Sequence, residues 1–156
     1  MQTAAKRFQT FEDLEAYKTA RAFRKAMYGV SRRLPAFENF DLGSQIRRAA
    51  VSLTNNLAEG HGRWHFLDHI KFVLQARGSL EELQDDLNVC EDEGHLTFVE
   101  TADLKEHGWH VLKLINGYLR YLRDSKLGNS LALHDAPVPY GDSDEDLEAW
   151  LANLPL

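Results

Sequence analysis

Apolar residues recur at alternating steps of four and three along most of this chain. Ala16, Ala20, Phe23, Met27, Val30 and Leu34 form the first such series, the spacing of a helix that buries one face. Thr10 stands where an N-cap belongs, with Asp13 three residues on as a short capping box. Pro35 ends the series, so a first helix is expected over about 11–34. Ile46, Ala50, Leu53 and Leu57 mark a second over about 43–62, capped by Asp41 or Ser44. It ends at Gly60-His61-Gly62, because glycine just past a helix relieves the left-handed C-cap. Phe66, His69, Val73, Ala76, Leu80, Leu83, Leu87 and Cys90 mark a third over about 65–93, stopped by Gly94. Leu104, Val111, Ile115, Tyr118 and Leu122 mark a fourth over about 101–126, closed by Leu127-Gly128-Asn129.

The intervening connections are short, which favours antiparallel neighbours. The prediction is an all-α, up-down-up-down four-helix bundle formed by residues 1–127. The four prolines, at 35, 137, 139 and 155, leave the central hundred residues free of them, as long helices require. Residues 128–156 read differently. They hold two prolines close together and no period until Ser143, where a short capped helix is expected over about 144–153 with Leu147, Trp150, Leu151 and Leu154 on one face.

The third and fourth helices carry more apolar residues than one stripe needs. Leu67, Ile70, Phe72 and Leu74 lie outside the third seam, and Trp109, Leu112, Leu114, Leu119 and Tyr121 outside the fourth. Apolar surface left wet forgoes about 25 cal/mol per Å² and invites association. A wider core stripe accounts for some of these residues. The remainder points to a contact between copies through Leu67, Ile70, Leu74, Trp109, Leu114 and Tyr121, and so to a homo-oligomer.

Charge sharpens the picture. The 156 residues carry a net charge of −6, and its distribution is uneven. Residues 1–63 hold 11 bases against 6 acids, residues 64–126 hold 7 against 12, and residues 127–156 hold 6 acids and no base. Lys18, Lys25 and Arg32 sit seven apart, opposite the first seam, with Arg21 and Arg24 beside them. Arg33, Arg47, Arg48 and Arg63 belong to the same half. A stripe of this kind can follow a phosphate backbone, making RNA or DNA the expected partner class. The competing reading pairs the stripe with acids of the third helix or the tail, leaving a module that binds only itself or another protein.

The same residues offer little support for other chemistry. His65 and His69 are four apart with Asp68 between them, a spacing that lets two ligands share a helix face, but no third ligand is evident. Metal and cofactor are therefore expected to be absent. A di-iron bundle needs Glu-x-x-His on two helices, and no Glu here has a His three residues later. Glu59-Gly60-His61-Gly62-Arg63 lacks the Gly-Lys-Ser/Thr ending of a phosphate loop. The lone Cys90 lies on a seam, which excludes an intrachain disulfide and fits a reducing compartment. No nucleophile stands with a base, so no enzyme is expected. No apolar run approaches the ~18 residues of a membrane span, and a cytoplasmic location is expected.

The middle of the chain resembles a bacterial family known as four-helix bundle proteins or 23S rRNA intervening-sequence proteins. The residues that carry the resemblance run from Leu42-Gly-Ser-Gln-Ile-Arg-Arg-Ala-Ala-Val-Ser to Asn56-Leu-Ala-Glu-Gly-His-Gly-Arg63, then Phe72, Ala76 and Gly78-Ser-Leu-Glu-Glu-Leu83. Phe11-x-x-Leu14 and the helix end from Tyr28 to Pro35 fit as well, so about 10–125 is covered. The resemblance implies a left-handed up-down-up-down bundle and a ring-like homopentamer. The family includes the accessory variability determinant of diversity-generating retroelements, a strongly basic pentamer that binds nucleic acid. This chain departs from the pattern in its isoelectric point of about 5.6. It also departs at His65 and His69, where the family usually has a small hydroxyl residue and Phe, and at Thr54, where Pro is common.

Overall fold

The computed structural model describes residues 10–128, with side chains described through residue 125. The acidic tail and its expected helix at about 144–153 lie outside the described residues. Four α-helices follow one another: α1 (Glu15–Arg33), α2 (Leu42–His61), α3 (Phe66–Asp92) and α4 (Phe98–Gly128). Short 3₁₀ turns at Phe11–Asp13 and Ala36–Glu38 precede α1 and α2. No strand occurs among the described residues. α2 packs on α1 and α3, and α4 packs on α3 and closes back on α1. The result is the up-down-up-down four-helix bundle that the periodicity predicts.

The seams are where the spacing puts them. Ala20, Phe23 and Met27 of α1 are fully buried, as are Ile46, Ala50, Leu53 and Leu57 of α2 and Val73, Leu80, Leu83 and Leu87 of α3. On α4 the buried row is Thr101, Val111, Ile115, Leu119 and Leu122, with Gly108 in the same row. Leu119 is therefore an interior residue of the subunit, and Tyr118, placed on the seam by its spacing, is only half-buried.

The helix starts differ from the periodic reading for local reasons. Thr10 caps a single 3₁₀ turn, its backbone N–H donating to Asp13 Oδ2 at 3.1 Å. Leu14 is then extended and buried, so α1 proper begins at Glu15. α4 begins at Phe98, three residues early, because Thr97 and Glu100 form a capping box. The Glu100 N–H donates to Thr97 Oγ1 at 3.2 Å, and the Thr97 N–H donates to Glu100 Oε2 at 2.9 Å. These two bonds satisfy two of the first-turn donors that a helix leaves open. The Thr97 backbone bond, followed by Arg33, pulls the Glu100 carboxyl down to about 2. At the α3 end, Gly94 takes φ +72°, the left-handed conformation that glycine adopts without a Cβ penalty.

Candidate nucleic-acid interface

The outer face of α1 carries Lys18, Arg21, Lys25, Tyr28 and Arg32 at steps of three, four, three and four. That spacing aligns them on one stripe along the helix. The four cations are exposed and Tyr28 is half-buried. A hollow of about 380 Å³ lies against Lys18, Arg21 and Lys25. Two more share Tyr28 and Arg47 as a common wall. One, of about 500 Å³, runs over α2 past Arg48, Ser52, Asn55 and Asn56. The other, of about 390 Å³, is lined by Arg32, Ser31 and Asn39. The Arg32 guanidinium stands over the Tyr28 ring, 5.8 Å from its centroid.

The nine basic residues expected at the interface divide into groups. Arg21, Lys25 and Arg48 are exposed and carry no ion pair among the described residues. Lys18 is exposed and pairs with Glu15 of its own helix at 3.0 Å, an arrangement worth little in water. Arg47 reaches back to the Asn39 carbonyl at 2.8 Å, which orients its guanidinium along the shared wall. Arg24 does not face outward. Its Nη1 donates to Thr54 Oγ1 at 2.8 Å, and Thr54 is buried, so Arg24 ties α1 to α2. Arg33 pairs with Glu100 at 2.7 Å and ties α1 to α4. Arg63 pairs with Glu59 and lies over the Phe72 ring, 4.7 Å from its centroid.

Tyr28 was not singled out by charge. The signal for it is its register, since it fills the gap in the stripe between Lys25 and Arg32. Asn56 belongs to a polar bridge between α2 and α3. It donates to the Ser52 carbonyl at 2.9 Å and to Ser52 Oγ at 3.0 Å, and Ser52 Oγ accepts from Ser79 Oγ of α3 at 2.8 Å. The neighbouring Asn55 is exposed.

Two of the expected subunit contacts need correction. Leu67 and Ile70 are buried within the bundle. α3 packs between α2 and α4 and so needs a broader apolar face than a single stripe. Leu74 and Leu114 are half-buried and pack on the same core. Trp109 and Tyr121 are more than half exposed. Trp64, in the α2–α3 connection, is 99% exposed.

The histidines are arranged otherwise than a metal pair would be. His65 is extended and sits at the N-cap of α3, where its carbonyl accepts from the His69 N–H at 3.0 Å. It therefore does not share a helical face with His69 as the His65, Asp68, His69 spacing suggested. The His69 ring turns to α4 instead, with Nε2 2.7 Å from the Tyr118 hydroxyl and His61 beside it at 6.4 Å between ring centroids. Burial, then the His61 charge, pulls His69 down to about 4. It is thus neutral near pH 7, and its Nε2 shares a hydrogen bond with the Tyr118 hydroxyl. Gly60 permits this approach of α2 to α3. A Cβ there would lie 2.9 Å from Phe72 Cβ and 3.2 Å from the His69 carbonyl oxygen. Among the described residues no group of three His, Cys, Asp or Glu is gathered to hold a metal ion. Burial pushes the Cys90 thiol up to about 11, the opposite of an activated nucleophile.

These features define a class: a small antiparallel helical bundle with a basic, grooved outer face on its first two helices. Residues 12–117 match the family model described as 23S rRNA-intervening sequence protein, and the chain belongs to that family. A comparison with curated proteins gives no match. Among the described residues, no helix is long and apolar enough to cross a membrane.

Proposed function

We propose that this chain is a non-enzymatic binding protein that assembles as a homopentamer and holds RNA or DNA on the α1–α2 face. One observation carries the reading. Four exposed cations of α1 share a stripe that borders the hollows walled by Arg47 and Arg48. Cations placed along a groove release counterions from a polyphosphate backbone, which supplies affinity without sequence preference. The exposed Trp64, Trp109 and Tyr121 support self-association, since aromatic anchors of this kind are enriched in contacts. The family's name, taken from an insert in ribosomal RNA genes, is compatible with the nucleic-acid reading.

A second reading, self-assembly alone, draws on the internal pairing of Lys18, Arg33 and Arg63. Fluorescence polarisation with labelled RNA and DNA across a salt series separates the two. Binding whose log affinity falls with log salt by about 0.7–0.9 per phosphate contacted is expected. Exchanging both Arg47 and Arg48 for Gln should flatten that slope by between one and two. Absence of binding at low salt leaves self-assembly as the function. Light scattering should report five copies per particle, and a monomer at micromolar concentration would remove the assembly half of the proposal.

A further inference from the structure

The geometry points to a single-stranded nucleic acid as the ligand of the α1–α2 groove, with an unpaired base stacked on Tyr28. The inference rests on the nucleic-acid reading above and narrows it. A duplex keeps the flat faces of its bases stacked inside and offers phosphates, sugars and base edges, but no base face on which an aromatic ring can stack. A stripe of cations alone would serve it. This stripe is interrupted at its fourth position by an aromatic ring. That ring is the wall common to two adjoining hollows of about 500 and 390 Å³, each within the range of small-ligand pockets. Concave space beside an aromatic side chain is of use to a base only when the base has left its stack.

The chemistry around the ring completes the case. Arg32 lies against Tyr28, and a guanidinium plane is itself a stacking partner for a base. Arg47 shares with Tyr28 the wall between the two hollows and is held in place by the Asn39 carbonyl. Asn55 presents an exposed amide at the far wall, with both a donor and an acceptor for a base edge. From Tyr28 the stripe continues to Lys25, Arg21 and Lys18, a path of about 15 Å at 1.5 Å per residue. The phosphates of the flanking nucleotides follow that path. The recognition chemistry does not distinguish ribose from deoxyribose, so the test carries both sugars.

The full chain is titrated by polarisation with labelled oligo(U) and oligo(dT) of twelve nucleotides and with a twelve-base-pair duplex. The single strands are expected to bind at least about ten-fold more tightly than the duplex. Stacking on one aromatic contributes roughly 5- to 100-fold. Tyr28→Leu, which keeps the apolar packing of this half-buried residue, should therefore lose about ten-fold for the single strands with an unchanged salt slope. Tyr28→Phe should retain wild-type affinity. Arg32→Gln should lower the salt slope. Duplex bound as tightly as single strand, or Tyr28→Leu binding like wild type, overturns the inference and leaves the broader reading standing. Failure of all three probes to bind removes both.

Discussion

Replacing Phe23 by alanine is expected to destabilise the bundle by about 4 kcal/mol. Urea denaturation should show a midpoint lower by about 2 M at an unchanged slope. Phe23 is fully buried and meets the His107 ring edge-on, 5.2 Å between centroids. Its neighbours cannot close the resulting cavity. Gly108 of α4 has no side chain, and a Cβ there would lie 3.2 Å from Phe23 Cζ and 2.1 Å from Gln84 Nε2. Gln84 is polar and donates from that nitrogen to the Lys105 carbonyl at 3.2 Å. Drawing it inward would break the bond and bury an amide in apolar space. The same geometry predicts a rescue. Gly108→Leu alone presses on both Gln84 and Phe23 and overpacks the layer by at least about 2 kcal/mol; combined with Phe23→Ala its outer carbons fill the vacated volume and the Phe23 part is relieved, while the displacement of Gln84 remains. The double variant should be less destabilised than the sum of the singles by more than about 1 kcal/mol. Strict additivity would show that the two positions do not share a layer.

The wild-type chain should lose stability only modestly between pH 7 and pH 4, and Asp86→Asn should lose far more. His69 is depressed to about 4. Over the window from 6.5 down to 4 the unfolded chain binds more protons than the native one, and acid destabilises. Asp86 has the opposite sign. It is buried on α3, its Oδ2 has no hydrogen-bond partner, and burial, then Glu82 and Asp85, pushes its carboxyl up to about 6. Between 6 and 3.8 the native chain therefore binds more protons, and acid stabilises. Each effect is on the order of 3 kcal/mol at most, and the two oppose one another. Burial also lowers His107, and the Glu100 carboxylate held by Thr97 and Arg33 starts to lose its advantage below 4.5, so the wild-type balance tips modestly towards acid destabilisation. In Asp86→Asn the histidines act unopposed. That variant should lose about 3 kcal/mol from pH 7 to 4, a fall in melting temperature of about 10 °C relative to its own value at pH 7. His69→Phe should instead gain stability on acidification. Parallel pH curves for wild type and Asp86→Asn would sink the account.

The seams of α1 and α2 were legible because each packs with a narrow stripe of Ala, Leu, Ile, Phe and Met. The α4 seam was harder to read. Gly108 occupies an interior position without an apolar side chain, so the row looked interrupted, and Tyr118 and Leu119 competed for the same turn. Phe98 and Val99 are exposed and gave no periodic signal for the first turn of α4. Only the Thr97–Glu100 cap marks it. The excess of apolar residues on α3 was visible, but whether Leu67 and Ile70 face a neighbouring helix or a neighbouring copy depends on how many helices α3 touches. The basic stripe was legible as spacing. That Arg24 leaves it for Thr54, thirty positions away, was not, because a sequence does not show which buried acceptor a long side chain will find. Tyr28 was hidden for the converse reason, being uncharged in a pattern read by charge.

The closure of α4 onto α1 settles where the two ends of the described chain lie. Phe23 meets His107, and Arg33 meets Glu100, so the helices run in opposite senses and the start of α1 stands level with about residue 115, with the last turns of α4 extending past it. Residues 15 and 113 consequently stand at one level of the bundle, while Phe37, Phe40 and Phe98 occupy the opposite pole. A donor and acceptor dye attached at those two positions would report the closing of the first helix on the last directly, since nothing short of completing the circuit of four brings them together.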